Sequence, residues 1–545
     1  MSQRHYVSPE FAWTKAVHIY FVRGSADACV TGGKRVGLGR NKTWLGECVI
    51  MARLTPVGAR KASAPLAGLL KVAACALILV LMPLAGGCGK RDVSRPSASG
   101  NAPVRAARAV PSAQRPVEGP VHDGCNLVLV IIDTLRSDVL GCYGFGLGTS
   151  PELDALAQQG VRFSHVVAQC SWTRPSIASM LTSRYPRSLG LYKEKDEILN
   201  DSFVTLAEVL QSQGYLTFGI TANPVINSVF NMHQGFDTHI DSNIIFSWMR
   251  PEAGKVTARE HRLLSSKEIF DIVLSKVDPN PPSPNYLQIT IMEMHEYWRV
   301  KYGLTRPEFQ QLFPDSPIKR YLQALRQVST DIDAFVKALT ALPGWANTLF
   351  VFTSDHGQGL NNHPAVPNSG THGRLLYESQ VMVPLIFYHS KGGLNPQTID
   401  RRVRLLDLMP TILDFLDAPP PGGMDGVSLM PLLETPEGPV DLPDMFVTET
   451  EFRTFNKIAV YAPEWKYIEN RDGHPNLNPR ELQPVGIKEN GIKTDQIDKQ
   501  PQVAAALQEL LKTWEQRYPK VPATPRTKDL SETEVEQLQA IGYLQ

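Results

Sequence analysis

Residues 126–133 read NLVLVIID, an apolar run without alternation that closes on Asp133. A run of this kind marks a strand buried on both faces, as happens when helices cover both sides of a sheet. Moving outward, SPELDALAQQG (150–160) is an amphipathic helix closed by Gly160, and VRFSHVVA (161–168) is a further strand. TLAEVLQSQGY followed by LTFGITA (205–222) repeats helix, glycine, strand. NYLQITIM (285–292), TLFVFTSD (348–355) and VPLIFYHS (383–390) supply more apolar strands, with a long helix over 320–342 between the first two. The expected architecture is α/β, a largely parallel central sheet flanked by helices. Two strand candidates (444–452 and 457–470) and a helix (502–518) beyond it predict a smaller C-terminal α+β subdomain.

In such sheets ligands bind beyond the carboxyl ends of the strands. Asp133 closes one strand and Asp355-His356 another, so both arrive at one edge, joined by His372 in THGRLLYE. Taken alone, Asp133 reads as a turn or cap residue; taken together, these carboxylates and imidazoles read as ligands for an ion. They bracket Thr173 in CSWTRPSIASMLTSRYP (170–186). A hydroxyl is a poor nucleophile until a divalent cation or a base lowers its pKa. Pro175 ahead of SIASMLTS predicts a helix start at which Thr173 is the cap, with backbone N–H groups facing an incoming anion.

Composition narrows the alternatives. With 55 basic and 54 acidic side chains there is no net field to attract nucleic acid. Seven cysteines at 29, 48, 75, 88, 125, 142 and 170 show neither zinc-finger spacing nor a disulfide framework. Residues 1–50 show no sustained pattern, and Met51 reads as a second start. Basic residues followed by VAACALILVLMPLAGG (72–87) and Cys88 form an export signal over 51–88. Leu84-Ala85-Gly86-Gly87-Cys88 resembles a lipobox, with Ala85 where leucine is usual. An anchor acylated at Cys88, a cleaved signal and an uncleaved anchor all fit a run short of the ~20 residues that span a bilayer. Residues 89–122, rich in Pro, Ser, Ala and Arg, form a flexible tether. The expected organisation is therefore extension (1–50), signal (51–88), linker (89–122), catalytic domain (123–435) and C-terminal subdomain (436–545), held in a bacterial cell envelope, periplasmic or at the outer surface.

The segments NLVLVIIDTLRSDVLGCYG, SPELDALAQQGVRFSHVVAQCSWTRPSIASMLTSRYP, FTSDHGQGL, LLYESQVMVPLIF, LLDLMPTILDFL and LQAIGYLQ together resemble the sulfatase family of the alkaline phosphatase superfamily. The resemblance implies a metal-dependent ester hydrolase. By position it makes Asp133, Thr173, Asp355 and His356 metal ligands and Thr173 the nucleophile. It places His295 beside the leaving group and His372 toward the substrate. One divalent ion is implied, because Ile291 stands where binuclear relatives carry a second-site aspartate. The imidazole of His356 favours Mn or Zn, with Ca or Mg also compatible.

The family's nucleophile segment reads Cys or Ser, any residue, Pro, Ser, Arg. Here it is Thr173-Arg174-Pro175-Ser176-Ile177. Sulfatases oxidise that Cys or Ser to an aldehyde, which threonine cannot supply because its β-carbon carries a methyl group. Cys170 lies too far from Pro175 to replace it. The expected substrate is therefore a sulfate ester or, favoured by Thr173, a phospho- or phosphonoester. Transfer to an acceptor alcohol and a non-catalytic lipoprotein are the alternatives. Oligomeric state is not legible.

Overall fold

A computed structural model describes residues 124–192, 196–249, 263–298, 305–364, 366, 370–486, 493–541 and 543. The expected extension, signal and linker, with Cys88, lie outside the described residues.

Among the described residues the main sheet has nine strands: β1 (Asn126–Ile132), β2 (Val161–Val167), β3 (Leu216–Thr221), β4 (Thr238–Ile240), β5 (Asn285–Ile291), β6 (Thr348–Thr353), β7 (Met382–His389), β8 (Gln397–Ile399) and β9 (Val403–Arg404). Their order is β4-β3-β5-β1-β6-β7-β2-β8, with β9 also on β2. Only β7 runs against the rest, antiparallel to both β6 and β2. The expectation of a largely parallel sheet holds.

β1 is central, and all seven of its residues are buried. Leu127, Leu129 and Ile131 join the core on one face, while Val128, Val130 and Ile132 join the core on the other. This two-sided burial is why the run does not alternate, and each such side chain contributes roughly 1.5–3 kcal/mol of burial. Helices Thr173–Thr182, Leu206–Ser212 and Leu408–Phe415 cover the first face. Ser266–Lys276 and Lys319–Thr340 cover the second.

A second, antiparallel sheet orders β10 (Phe446–Phe452), β11 (Phe455–Tyr461), β12 (Trp465–Asn470) and β13 (Arg480–Pro484). Helix Pro501–Arg517 buries Leu507, Leu511 and Trp514 on one of its faces. The other face packs Phe446, Phe455 and Tyr461 on Leu375, Leu376 and Tyr377 of the main domain. Among the described residues no helix is long and apolar enough to cross a membrane.

Candidate active site

Parallel register brings the acidic groups together. Ile131 pairs with Thr353 across β1 and β6, so two residues further Asp133 and Asp355 stand side by side past the strand ends. Thr221 pairs with Thr290 across β3 and β5, which carries Asn223 and His295 to the same edge. Asp133, Thr173, Asp355 and His356 are 0% exposed.

The turn after β1 is strained. Thr134 is β-branched yet has φ 62°, a conformation that costs about 1–3 kcal/mol and gathers at functional sites. It aims the Thr134 N–H at Asp355 Oδ1 (3.2 Å), while the Thr134 carbonyl accepts from Tyr321 Oη (2.7 Å). The SDHG glycine has an equally local reason: a Cβ on Gly357 would collide with the Ser379 carbonyl. Arg136 spans the two loops, donating to both oxygens of Asp138 and to the Gln358 carbonyl.

Each ligand candidate is partly satisfied and partly open. Asp133 Oδ2 accepts from Asn223 Nδ2 (2.5 Å), and Asp355 Oδ1 from the His356 N–H (2.9 Å). Asp133 Oδ1 and Asp355 Oδ2 have no hydrogen-bond donor among the described residues. His356 Nδ1 lies 2.9 Å from the Gly357 carbonyl, which accepts only, so Nδ1 carries the proton and Nε2 presents a lone pair. Burial also lowers the His356 pKa, keeping the ring neutral. The 3.2 Å approach of Asp355 Oδ2 to His356 Nε2 is thus a meeting of two acceptors rather than an ion pair. Ligand atoms of Asp133, Asp355 and His356 lie within 4.8 Å of one another. Burial and the neighbouring Asp355 charge push the Asp133 carboxyl well above its usual range. Converging buried acceptors of this kind fit a divalent cation.

Thr173 is the first residue of its helix, and Trp172, with extended backbone, occupies the cap. This differs from the expected cap role. The hydroxyl is turned into the site, 3.2 Å from His356 Nε2. Ser176 Oγ donates to the Asp355 carbonyl (2.6 Å), pinning the helix start to the ligand loop. Ile177 is fully buried in the apolar core beside Trp172 and Ala178, and Cys170 is buried with its thiol pushed up by desolvation.

His295 Nδ1 bonds Glu296 Oε1 at 2.7 Å. Burial alone would lower its pKa, but the Glu296 bond and charge, with the Asp133 and Asp355 charges, together outweigh that, so the pKa stands above the ordinary value. His295 Nε2 faces inward without a hydrogen-bond partner among the described residues. The His372 ring centroid lies 4.9 Å from that of His295 and 4.7 Å from that of His356. Burial, with His356 and His295, lowers the His372 pKa well below its usual value.

All six sequence-predicted residues, Asp133, Thr173, His295, Asp355, His356 and His372, therefore gather at one edge. Sequence reasoning missed Asn223, Glu296 and Tyr543. Asn223 follows β3 at the same register and Glu296 adjoins His295, so strand-end position was a usable signal for both. Tyr543 Oη lies 3.3 Å from Thr173 Oγ1 across 370 positions of sequence, and no spacing argument reaches it.

The Sulfatase family model matches residues 125–418. Human arylsulfatase A is 27% identical over 353 residues, 56% of this chain and 67% of its own. A Δ4,5-hexuronate-2-O-sulfatase of Bacteroides thetaiotaomicron is 23% identical over 408 residues, 64% of this chain and 80% of its own. The phosphonate monoester hydrolase of Silicibacter pomeroyi shares the fold with a TM-score of 0.55 at 19% identity, covering 73% of this chain and 96% of that one.

Proposed function

The chain belongs to the sulfatase family as a sulfatase-like hydrolase, and from that premise we propose that it cleaves a phosphoric or phosphonic ester through a covalent phosphothreonine at Thr173. The observation carrying this reading is the Thr173 hydroxyl itself: fully buried, unused as a helix cap, and set against His356 Nε2. Its β-carbon methyl bars the aldehyde route, whereas a plain hydroxyl suits in-line attack on phosphorus.

Asp133, Asp355 and His356 would hold one divalent ion, Mn or Zn by its imidazole ligand. When bound, the ion supplies the charge that lowers the pKa of the Thr173 hydroxyl, whose proton leaves to solvent. Thr173 Oγ1 then forms a bond to phosphorus as the ester P–O bond breaks, and protonated His295 gives its Nε2 proton to the departing alkoxide. The Glu296 bond favours that protonated ring. Water next attacks phosphothreonine. One of its protons returns to His295, its oxygen and other proton stay with the released phosphate or phosphonate, and Thr173 Oγ1 leaves as the alkoxide, which takes back from solvent the proton given up at the start. Neutral His372, set against the His295 and His356 rings, serves as a hydrogen-bonding group.

Intact and peptide mass spectrometry on Mn-loaded protein tests this, before and after exposure to aryl sulfate, phosphodiester and phosphonate esters. A phosphoryl or phosphonyl mass on Thr173 with turnover of phosphorus esters supports the proposal. Turnover of aryl sulfate alone, or an oxidised residue within 170–177, overturns it. We further infer that the mature protein is an envelope lipoprotein that begins at an acylated Cys88. Labelled palmitate that still incorporates after Cys88→Ala would defeat that inference.

A further inference from the structure

Helix Glu532–Ala540 opens with a Ser531/Glu534 capping box and returns to the main domain. Gln537 accepts from Ser242 Oγ (2.6 Å), and Glu534 accepts from Asn243 Nδ2 (3.0 Å). Leu538 and Tyr543 enter the main core, which Phe452 at the end of β10 also joins. Tyr543 is 3% exposed. Its ring meets Phe452 edge-on, with centroids 5.6 Å apart, and lies 6.3 Å from Trp172 and 5.9 Å from His372.

A buried phenol must find a partner for its hydroxyl. This one lies 3.3 Å from Thr173 Oγ1 and 3.1 Å from His372 Nε2. Because His356 Nε2 carries no hydrogen it cannot donate to Thr173 Oγ1, which leaves the threonine oxygen free to accept from elsewhere. We propose that Tyr543 is a positioning residue for the reaction: its hydroxyl donates to Thr173 Oγ1, accepts from His372 Nε2, and fixes the direction in which the threonine oxygen attacks. The hydrogen bond strengthens once Thr173 loses its proton, because a bond to a charged acceptor is roughly twice as strong as a neutral one. It therefore acts on the rate rather than on substrate affinity. This rests on Thr173 being the nucleophile.

Tyr543→Phe in the full Mn-loaded chain is the test, since it keeps the ring packing and removes only the hydroxyl. The expected result is a fall of about ten- to a hundredfold in kcat and in single-turnover labelling of Thr173, from loss of one charge-assisted bond. KM, metal content and unfolding midpoint should stay near wild type. Tyr543→His, which returns a donor at that position, should recover part of the rate. Unchanged kcat, a change in KM alone, or faster turnover on removing residues 529–545 would each overturn the proposal, the last by showing that the segment only covers the site. Thr173→Ala separates the two readings. If that variant is inactive while Tyr543→Phe is fully active, only the tyrosine proposal falls. If Thr173→Ala turns over normally, the nucleophile assignment itself has failed.

Discussion

Two buried charged clusters in this molecule are built on opposite terms. At Arg404–Asp407 every charge is answered: Asp407 Oδ1 accepts from Arg404 Nη2 (2.6 Å) and the Val427 N–H (3.0 Å), Oδ2 accepts from Arg404 N and Nε, and Arg404 Nη1 reaches Tyr185 Oη (3.1 Å). At Asp133–Asp355–His356 the burial is as complete, but one oxygen on each carboxylate has no donor among the described residues, and the imidazole lone pair beside them has only the Thr173 hydroxyl as a hydrogen-bond partner there. Buried polar groups are ordinarily satisfied, and an open set is expensive to keep. The first cluster joins a strand to a helix. The second, next to a strained Thr134 and a buried hydroxyl, is organised around something that arrives from outside the chain.

The comparison is broken most directly at Thr173. Thr173→Ala should lower kcat by at least about 10⁴-fold, the scale of loss when a covalent nucleophile is removed. The unfolding midpoint should hardly move, because the hydroxyl caps nothing. A large loss of stability instead would make Thr173 a structural residue. Asp407→Ala should do the reverse. It leaves Arg404 buried without its counter-charge, which costs about 3–5 kcal/mol in a denaturant titration, while the bound metal measured on the folded fraction stays at one per chain.

How far this was legible from sequence differs between the same two regions. The strand-end position of Asp133 and Asp355-His356 followed from apolar run lengths, because a parallel sheet aligns its carboxyl ends whatever the loops do. The contrast between open and satisfied carboxylates did not follow. Asp407 and Asp355 look alike in sequence, and only the tertiary donors, Val427 N–H on one and none on the other's Oδ2, tell them apart. Thr134 was invisible for a related reason, since a β-branched residue at positive φ contradicts local preference and is held there by Asp355 and Tyr321 from distant segments. Tyr543 needed the return of a helix that local propensity cannot place.

Asp133 sharpens the contrast through pH. Its carboxyl is harder to ionise folded than unfolded, so above about pH 4 the native state holds more protons than the unfolded chain and stability falls as pH rises through the folded pKa. Metal-free protein should show that decline in its unfolding midpoint. Asp133→Asn should flatten it and raise stability by roughly 1–2 kcal/mol near neutrality, the scale of a relieved buried charge. Added Mn²⁺ should abolish the decline in the wild type and leave the variant unmoved. A pH-independent midpoint in the metal-free wild type would mean that the open acceptors carry no penalty.

The smallest effect belongs to Glu296. Burial lowers the pKa of His295, but the Glu296 hydrogen bond and charge, together with Asp133 and Asp355, raise it above the ordinary value. As a proton donor His295 works only when protonated, so its raised pKa extends activity toward alkaline pH. Glu296→Gln keeps a hydrogen-bonding group of similar shape and removes the charge, lowering the pKa again. The alkaline limb of kcat should then move down by about one pH unit, the effect of losing one adjacent opposite charge. Burial of His295 persists in the variant and still disfavours the charged ring, so kcat on the alkaline side should fall by up to about tenfold, the limit set by a one-unit shift, with KM unchanged. An alkaline limb that stays in place would take the proton-donor role away from His295 and leave it, like Arg404, a residue that only holds its neighbours.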